Sequence, residues 1–543
     1  MKLAHALLHA LKDYGAREIF GIPGDFALPF FREIERTAIL PLTTLSHEPA
    51  VGFAADAAAR YRSSLSVAAV TYGAGGLNMI NAVAQAYAEK SPVVIVSGAP
   101  GAAEGLSGLA LHHQVKHLGS QYLIYQEVTC AQAVLNDAAT APSEIARVLK
   151  AARELSRPVY IEFPRDMVDA EVGPVPAYVE TPFDAEAANA AAAEILSRLG
   201  AAKNPALLLC VEVRRYGLEA KVAELSKKLA IPTATTFMAR GILAGTDAPL
   251  IGSYLGLAGD EHIRDVIENA DTLLMLGVIM CDTNFGVSET LIDKRRSILA
   301  FDRAVRFGHH VYPDIPLAAL VDALLQQAKP LGRATRTYKP NLPSKMPHDD
   351  AVIRPTDIAA CVNDLSARTK VRMPIASDMG DCLFTAMDIA YTELVAPAYY
   401  ATMGPGVPMG IGIATASGRR PLILVGDGAF QMTGWELGNC RRLGLKPIVL
   451  LFNNSAWGML KVFQGDTRYN DLDDWKFADM AVSLGGKGVR VATRKALAAA
   501  LDTAYADASD WHLIEIIIPR DEYSRTLSQF VGAVKKRSVL GKG

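Results

Sequence analysis

The sequence alternates short apolar runs with longer helix-like segments, and this pattern constrains the fold more than any single motif. Runs such as SVAAVTYG, SPVVIVSG and PLILVGDG have the length and composition of buried strands. Alternating strands and helices are typical of parallel α/β sheets. Because 543 residues are too many for one hydrophobic core, the pattern predicts two to four such units.

Two proline-rich segments interrupt the alternation. EVGPVPAYVETPFD at residues 171–184 and a second stretch at residues 329–350 are predicted to be linkers. They divide the chain into three α/β domains of similar size, each with a parallel sheet flanked by helices. The predicted boundaries are residues 1–170, 185–330 and 351–543.

The composition excludes several classes of function. Hydrophobic residues make up 50% of the chain and charged residues 21%, as in ordinary globular proteins. The net charge of -2 predicts no sequence-independent binding to nucleic acid. The cysteines show no metal-binding spacing, and no apolar run has the roughly 18 residues needed to span a bilayer. We therefore expect a cytoplasmic protein that binds neither nucleic acid nor membrane.

An aspartate between two glycines raises the question of a metal site. Asp427 ends the run PLILVGDG, and Asn454 ends the next run, IVLLFNN, 27 positions later. Adjacent parallel strands place their carboxyl ends side by side, so the two side chains should lie close together. A carboxylate, an amide oxygen and a loop carbonyl suit Mg²⁺, which commonly shares phosphate ligands. A lone Gly-Asp-Gly would more simply be a turn, but the pairing with Asn454 favours a metal–diphosphate site.

The sequence resembles thiamine diphosphate-dependent enzymes over essentially its whole length. The resemblance rests on the motif GDG, which is followed after a helix and a strand by NN, and on the order of the three domains. The resemblance implies that Asp427, the side chain of Asn454 and the backbone carbonyl of Ala456 hold Mg²⁺, which clamps the diphosphate. It also implies cofactor contacts from the other residues of the motif, Gly426, Gly428 and Ala429.

Glu48 lies between a predicted strand end and an alanine-rich helix, in TLSHEPAVGFAADAAARY. From the sequence alone it could equally favour the start of a helix. In the thiamine enzymes the matching glutamate bonds the aminopyrimidine ring and promotes ylid formation, and the resemblance implies this role for Glu48. YYATMGPGVPMG matches the segment that bends the cofactor. This implies that Met403 lies under the bend and that the Ala401 carbonyl meets the amino group, with core packing as the alternative for Met403.

Two further motifs indicate the type of reaction. GIPGDFALPFF places Asp25 in a loop, and LALHHQVKH carries His112 and His113. Singly, such residues are commonly solvated. Together with Glu48 they resemble the 2-keto acid decarboxylases similar to pyruvate and indolepyruvate decarboxylase, in which one aspartate and two histidines relay protons. Imidazole titrates near neutral pH, as a relay requires. The segments LSHEPAVGFAADAAARY, DMGDCLFTAMD and GDGAFQMTGWELGNCRRLG resemble the phenylpyruvate and indolepyruvate branch.

One position departs from the pattern of pyruvate decarboxylase relatives. Those proteins carry a glutamate six positions after the second asparagine, whereas this sequence has Leu460. With Gly458 nearby, the change predicts an apolar pocket that has room for a bulky aromatic substrate. Trp457 is a further candidate for the pocket wall, as are Met379 and Phe384, with core packing as the alternative.

Because Leu460 stands where relatives have a glutamate, another acidic residue would have to take the place of that glutamate. Asp282, with Thr283 beside it, ends a predicted strand of the middle domain in LGVIMCDTNFG. Both are candidates for the substrate pocket, and a solvated loop aspartate is an equal alternative.

We therefore expect a thiamine diphosphate- and Mg²⁺-dependent carboxy-lyase that converts phenylpyruvate or indole-3-pyruvate to the aldehyde and CO₂ through the cofactor ylid. The family builds each site between two chains, which implies a homodimer or homotetramer with sites at the subunit interface. Related alternatives are a benzoylformate- or pyruvate-type decarboxylase or carboligase, and a cofactor-binding relative without turnover. A non-enzymatic nucleotide-binding α/β protein is disfavoured because no GxGxxG follows a strand of the middle domain.

Overall fold

The structure is a computed structural model that describes residues 1–288, 292–293, 295–331, 338, 340–390, 392–465 and 467–540. Within these ranges the chain forms three sheets flanked by helices, as the alternation predicted. The chain divides into two compact units, which are described separately. The first unit comprises Met1–Thr181, Val407–Arg419 and Thr433–Leu445, and the second comprises Pro182–Gly406, Arg420–Met432 and Lys446–Gly543.

The first sheet has six parallel strands among the described residues, in the order β2-β1-β3-β4-β6-β5. They are β1 (Ile19–Gly21), β2 (Leu42–Thr44), β3 (Ser66–Val70), β4 (Val93–Ala99), β5 (Ala131–Val134) and β6 (Val159–Pro164). Its helices are α1 (Leu3–Asp13), α2 (Leu28–Thr37), α3 (Glu48–Arg62), α4 (Ala74–Asn78), α5 (Ile80–Ala88), α6 (Ala102–Gly105), α7 (Ser120–Gln126) and α8 (Ala141–Leu155), with a 3₁₀ turn at Arg165–Met167. The apolar faces of α1 and α8 pack on this sheet and form its core.

The second sheet is mostly parallel, in the order β13-β12-β11-β10-β7-β8-β9. Its strands are β7 (Pro205–Leu209), β8 (Thr233–Thr236), β9 (Leu250–Tyr254), β10 (Thr272–Leu276), β11 (Ser297–Phe301), β12 (Ala304–Phe307) and β13 (His310–Tyr312). The last two pair antiparallel at one edge, which differs from the wholly parallel sheet predicted for this domain. Its helices are α9 (Ala185–Ala201), α10 (Glu212–Arg215), α11 (Glu219–Leu229), α12 (Glu261–Glu268), α13 (Asp282–Phe285) and α14 (Leu317–Gln327), with 3₁₀ turns at Phe237–Ala239 and Gly256–Ala258.

The third sheet is again parallel, in the order β15-β14-β16-β17-β19-β18. Its strands are β14 (Ile375–Ser377), β15 (Leu394–Val395), β16 (Leu422–Gly426), β17 (Ile448–Asn453), β18 (Lys487–Val491) and β19 (His512–Ile517). The helices of the second unit in this part of the chain are α15 (Pro355–Thr369), α16 (Asp381–Ala386), α18 (Asp427–Thr433), α20 (Gly458–Gln464), α21 (Phe477–Ser483), α22 (Arg494–Ala506) and α23 (Arg525–Leu540), with a 3₁₀ turn at Arg468–Asn470. The same stretch of sequence also forms α17 (Gly406–Ser417), α19 (Cys440–Leu443) and a 3₁₀ turn at Gly434–Asn439, which belong almost wholly to the first unit.

The first and third sheets share one strand order. Counting strands within each sheet, both read 2-1-3-4-6-5 in the described part of the chain. In such open sheets the chain winds in opposite directions from neighbouring strands, and the crevice at their carboxyl ends is the usual ligand site. The crevice falls between β1 and β3 in the first sheet and between β14 and β16 in the third.

The domain boundaries at residues 170, 185, 330 and 351 stay predictions, and part of the second linker, residues 332–337 and 339, lies outside the described residues. The described helices include none with the length and apolar character needed to cross a membrane. All six cysteines are free thiols, which agrees with their predicted lack of a disulfide framework.

Candidate active site

Asp427 lies at the crevice of the third sheet and is the first residue of α18. Its Oδ1 accepts a hydrogen bond from the Gly428 N–H at 2.9 Å, whereas its buried Oδ2 accepts none from the described residues. Burial raises the pKa of Asp427 to about 6, and nearby backbone N–H groups, including those of residues 454–456, lower it in part. A buried carboxylate oxygen without a partner is costly unless a cation binds it, so this atom fits a metal ligand.

The loop after β17 carries the second predicted metal ligand. Asn454 directly follows the strand, and Ser455 has a φ of 51°, which turns the loop back over the strand end. Asn454 Oδ1 accepts the Ala456 N–H at 3.1 Å, and the Ala456 carbonyl accepts the Gly458 N–H at 2.8 Å. Each oxygen keeps a lone pair for a cation. A Cβ on Gly458 would lie 2.5 Å from Asn454 Nδ2, so this glycine accommodates Asn454, a different reason from the predicted space for substrate.

A cavity of about 140 Å³ opens at this edge of the third sheet. One side consists of the motif residues Gly426, Asp427, Gly428, Ala429, Asn454 and Ala456. The Trp457 ring packs against Gly428 so closely that a Cβ at that position would clash with it. Apart from Trp457, the remaining walls include the side chains of Met379, Met403, Leu460 and Tyr523.

Four residues that the sequence analysis proposed for the site are not among the described residues that line this cavity. Asp282 is exposed at the start of α13, where its Oδ1 accepts the Thr283 N–H at 2.8 Å. Thr283 Oγ1 donates to the Ala398 carbonyl at 3.3 Å. Ala401 is exposed with a φ of 59°. Phe384 packs against other aromatic rings in a separate core cluster. The structure therefore brings Trp457 and Leu460 to the cavity but not these four.

A second buried aspartate, Asp378, follows β14 on the other side of the crevice, and the sequence analysis missed it. It is 0% exposed. Its Oδ1 accepts the N–H groups of Met379 at 2.8 Å and Gly404 at 2.9 Å, and its Oδ2 accepts that of Gly406 at 2.7 Å. Burial raises its pKa to about 6 against the lowering effect of these donors. A sequence signal for Asp378 was available, because this aspartate follows the apolar run MPIAS just as Asp427 follows the run PLILVG.

In the first unit, Glu48 begins α3 at the carboxyl edge of the first sheet, directly after β2. Its Oε2 accepts a hydrogen bond from Asn78 Nδ2 at 2.8 Å. No described residue donates to Oε1, which lies 3.5 Å from where a Cβ on Gly75 would be. A helix N-terminus favours the charged carboxylate, and Oε1 is available for a hydrogen bond with a ligand.

Glu436 supports the turn that precedes Glu48, and the sequence analysis missed it too. Its carboxylate is 0% exposed and accepts the Ser46 N–H at 3.0 Å and Asn439 Nδ2 at 2.8 Å. Burial raises the pKa of Glu436 to about 7, and these hydrogen bonds lower it in part. Within TGWELGN it has no feature that distinguishes it from an ordinary helix residue.

Asp25, His112 and His113 come together at the crevice of the first sheet. Their candidate ligand atoms all lie within 4.8 Å of one another. His112 Nε2 is hydrogen-bonded to Asp25 Oδ2, and His113 Nδ1 donates to the Tyr72 carbonyl at 3.0 Å. A Cβ on Gly73 would lie 2.6 Å from the Cβ of His113, so the loop needs glycine there.

The charges in this group favour an ionised aspartate. Burial raises the pKa of Asp25, but the hydrogen bond from His112, the Phe26 N–H and the two imidazoles outweigh it and hold the pKa below its usual value. The group therefore combines a carboxylate acceptor with two imidazoles, the side chains commonly used in proton transfer. The same spacing would also admit a transition metal.

Comparison with known proteins assigns the family. Three models match the chain: the N-terminal TPP binding domain of thiamine pyrophosphate enzymes at residues 1–121, their central domain at 192–328 and their C-terminal TPP binding domain at 378–516. The chain therefore belongs to the thiamine pyrophosphate (thiamine diphosphate) enzymes, and the cavity and Asp427 fit that cofactor.

Full-length relatives narrow the class. The chain is 60% identical over 538 residues to an indole-3-pyruvate decarboxylase of Azospirillum brasilense, covering 99% of each chain. It is 30% identical over 547 residues to an alpha-keto-acid decarboxylase of Mycobacterium tuberculosis H37Rv, with 97% of this chain and 96% of the relative covered. A relative of the same name from Mycolicibacterium paratuberculosis is 28% identical over 538 residues, with 97% and 95% covered. The chain belongs to the thiamine diphosphate-dependent 2-keto acid decarboxylases, which are carboxy-lyases.

Proposed function

We propose that this enzyme decarboxylates an aromatic 2-keto acid, indole-3-pyruvate or phenylpyruvate, to the aldehyde and CO₂. The observation that carries the proposal is the 60% identity, over 99% of both chains, to an indole-3-pyruvate decarboxylase. The cavity supports it, because Leu460, Trp457 and Met379 give it an apolar wall where an acidic residue would disfavour an aromatic ring.

Mg²⁺ is the metal we propose for Asp427, Asn454 and the Ala456 carbonyl. These are the hard oxygen ligands that Mg²⁺ prefers, and it commonly shares them with phosphate. The unpartnered Asp427 Oδ2 supports the assignment. When bound, thiamine diphosphate supplies a nucleophilic carbon and an electron sink for the bond to CO₂. Met403 and the Ala401 carbonyl are proposed to hold the cofactor bent, and the hydrogen bonds of Asp378 to residues 404 and 406 support the rigidity of that segment.

Glu48 is proposed to hydrogen-bond the aminopyrimidine ring through Oε1 while Asn78 holds Oε2. Asp25, His112 and His113 are proposed to hold and deliver the proton that replaces CO₂, because the aspartate is hydrogen-bonded to His112 and the candidate ligand atoms of all three lie within 4.8 Å of one another. Asp282 and Thr283 stay predicted contacts of the substrate.

We also propose that the chain assembles as a homodimer or homotetramer with sites at the subunit interface, and that the enzyme is cytoplasmic. Assembly is testable by mixing two inactive variants, Glu48→Gln and Asp427→Ala. If each site takes these residues from different chains, mixed dimers carry one intact site, and about a quarter of the wild-type activity returns. Unmixed variants serve as controls, and no recovery after verified subunit exchange argues against shared sites.

The activity itself is tested by measuring CO₂ and aldehyde from phenylpyruvate, indole-3-pyruvate and pyruvate, with and without thiamine diphosphate and Mg²⁺. We expect cofactor-dependent aldehyde from the aromatic substrates. Glu48→Gln should lose at least about a hundredfold in kcat with its fold intact, whereas Glu127→Gln, at an exposed position of the same unit, should match wild type. Turnover of pyruvate alone would refute the aromatic preference.

A further inference from the structure

A second cavity, of about 290 Å³, lies in the second unit and shares no lining residue with the cavity described above. Its size is near the lower end of small-molecule sites, about 300–1,000 Å³. Its lining includes the apolar side chains of Phe237, Leu255, Ile263, Leu342 and Met387. It also includes charged groups, chiefly Asp388 after α16 and Arg525 at the start of α23. A lining that combines apolar and charged groups suits an amphipathic ligand.

Three charged residues line this cavity. The Asp260 carboxylate already has partners within the chain, because it accepts the His262 N–H at 2.9 Å and the Tyr338 hydroxyl. The other two, Asp388 and Arg525, carry opposite charges that are not joined.

Asp388 is half-buried and Arg525 is exposed. Burial raises the pKa of Asp388, whereas Arg525 and Arg240 lower it, so Arg525 lies near enough to affect the carboxylate. Across the described residues, however, neither the Asp388 carboxylate nor the Arg525 guanidinium has a hydrogen bond or an ion pair within 4.0 Å. A half-buried charge without a partner is costly, which favours a ligand that supplies both partners.

The ligand's charge pattern follows from this arrangement. A simple anion would pair with Arg525 but repel Asp388, and a simple cation would do the reverse. A zwitterion places its carboxylate on Arg525 and its ammonium on Asp388, and each contact is a charge-assisted hydrogen bond. In an α-amino acid the two charged groups are joined through one carbon, so a single ligand in this cavity can offer one charge to each of these two lining residues.

We propose that the second cavity binds an α-amino acid with an apolar side chain. The carboxylate pairs with Arg525, the ammonium pairs with Asp388, and the side chain packs on Phe237, Leu255 and Ile263. The proposal does not depend on the proposed decarboxylase activity, because its residues are separate from the first cavity.

Such a ligand would contact two segments of the chain that also border the first cavity. Asp381 of α16 and Tyr523, just before α23, line the first cavity, while Asp388, two residues after α16, and Arg525 line the second. The Ser524 N–H donates to Asp381 Oδ2 at 2.8 Å, which joins the two segments. The second cavity is therefore placed where an occupant can affect the first.

Isothermal titration of the full chain with L-phenylalanine and L-leucine tests the proposal. We expect saturable binding of at least one of them. For L-phenylalanine, matched probes are 2-phenylethylamine, which lacks the carboxylate, and 3-phenylpropionate, which lacks the ammonium. Because a hydrogen bond to a charged group contributes strongly, each should bind at least about tenfold more weakly, and so should the amino acid to Asp388→Asn and Arg525→Gln.

Two control variants make the outcome specific. Lys536→Gln removes an exposed positive charge from the same helix, outside the cavity, and should bind like wild type. Trp457→Ala alters the first cavity and should also bind like wild type. Circular dichroism without ligand checks that each variant is folded. No saturable binding of either amino acid, equal binding by Asp388→Asn and Arg525→Gln, or loss of binding only in Trp457→Ala would each overturn the proposal.

Discussion

Removing the Asp378 carboxylate should loosen the segment at residues 401–406 without unfolding the third sheet. The carboxylate accepts the N–H groups of Gly404 at 2.9 Å and Gly406 at 2.7 Å, both buried. In Asp378→Ala these donors lose their acceptor. Because Met403 lies between them and the cavity, the effect should reach the cofactor site as well as the backbone.

The size of the effect on this segment follows from its two buried donors at residues 404 and 406. The Met379 N–H also loses its acceptor, but it belongs to a partly exposed residue outside the segment. An unsatisfied buried donor costs about 1–3 kcal/mol, so two cost about 2–6 kcal/mol. The lower value applies here, because the substitution also removes a buried charge whose desolvation raises the pKa of Asp378 to about 6. A loss of about 2 kcal/mol in local opening free energy corresponds to amide exchange that is about 30-fold faster.

Hydrogen exchange with mass spectrometry, resolved to single residues, measures this directly. Asp378→Asn separates the two bonds, because its remaining oxygen can replace Oδ1 and keep Gly404, while its NH₂ faces the Gly406 N–H. We expect faster exchange at both glycines in the alanine variant and only at Gly406 in the asparagine variant. Asp350→Ala, at an exposed position of the same unit, is the control. Unchanged exchange in Asp378→Ala, or equal loss at Gly404 in both variants, would refute the reasoning.

Three further substitutions test other parts of the site. Burial raises the pKa of Glu436 from 4.5 to about 7, so its contribution to the stability of the fold is full below pH 4.5 and is lost as the pH rises through 7. In urea unfolding, Glu436→Gln should remove up to about 3 kcal/mol of the pH dependence of the unfolding free energy. Leu460→Glu should lower the phenylpyruvate-to-pyruvate ratio of kcat/KM at least about tenfold in steady-state assays. Gly73→Ala should displace His113 and lower kcat about tenfold or more, with thiamine diphosphate affinity unchanged by fluorescence titration.

The parallel α/β architecture could be predicted because its central strands are buried on both faces. β4, β16 and β17 are continuous apolar runs for that reason. The edge strands β13 and β18 were missed, since both are largely exposed. Exposure leaves a weaker sequence pattern, so such strands are the least predictable.

Site residues at strand ends could be located because parallel strands share an edge. Asp427, Asn454 and Asp25 each follow an apolar run, and the fold brings each to a crevice. The partners of Asp378 are backbone N–H groups 26 and 28 positions away, and the partner of Glu436 is 390 positions away. Backbone donors carry no sequence signature, so such supports emerge only from the folded chain.

Three buried acids with raised pKa values, Asp378, Glu436 and Asp427, differ in how their carboxylates are used. Asp378 and Glu436 direct their carboxylates at backbone N–H groups, so their charge is used within the chain to fix two loops. Asp427 is buried to a similar degree but directs one oxygen at no described donor. A folded chain tolerates that cost where an external charge offsets it. Hydrogen-bond satisfaction, rather than burial or a raised pKa, therefore separates Asp427 from the other two acids and supports its proposed role as a metal ligand.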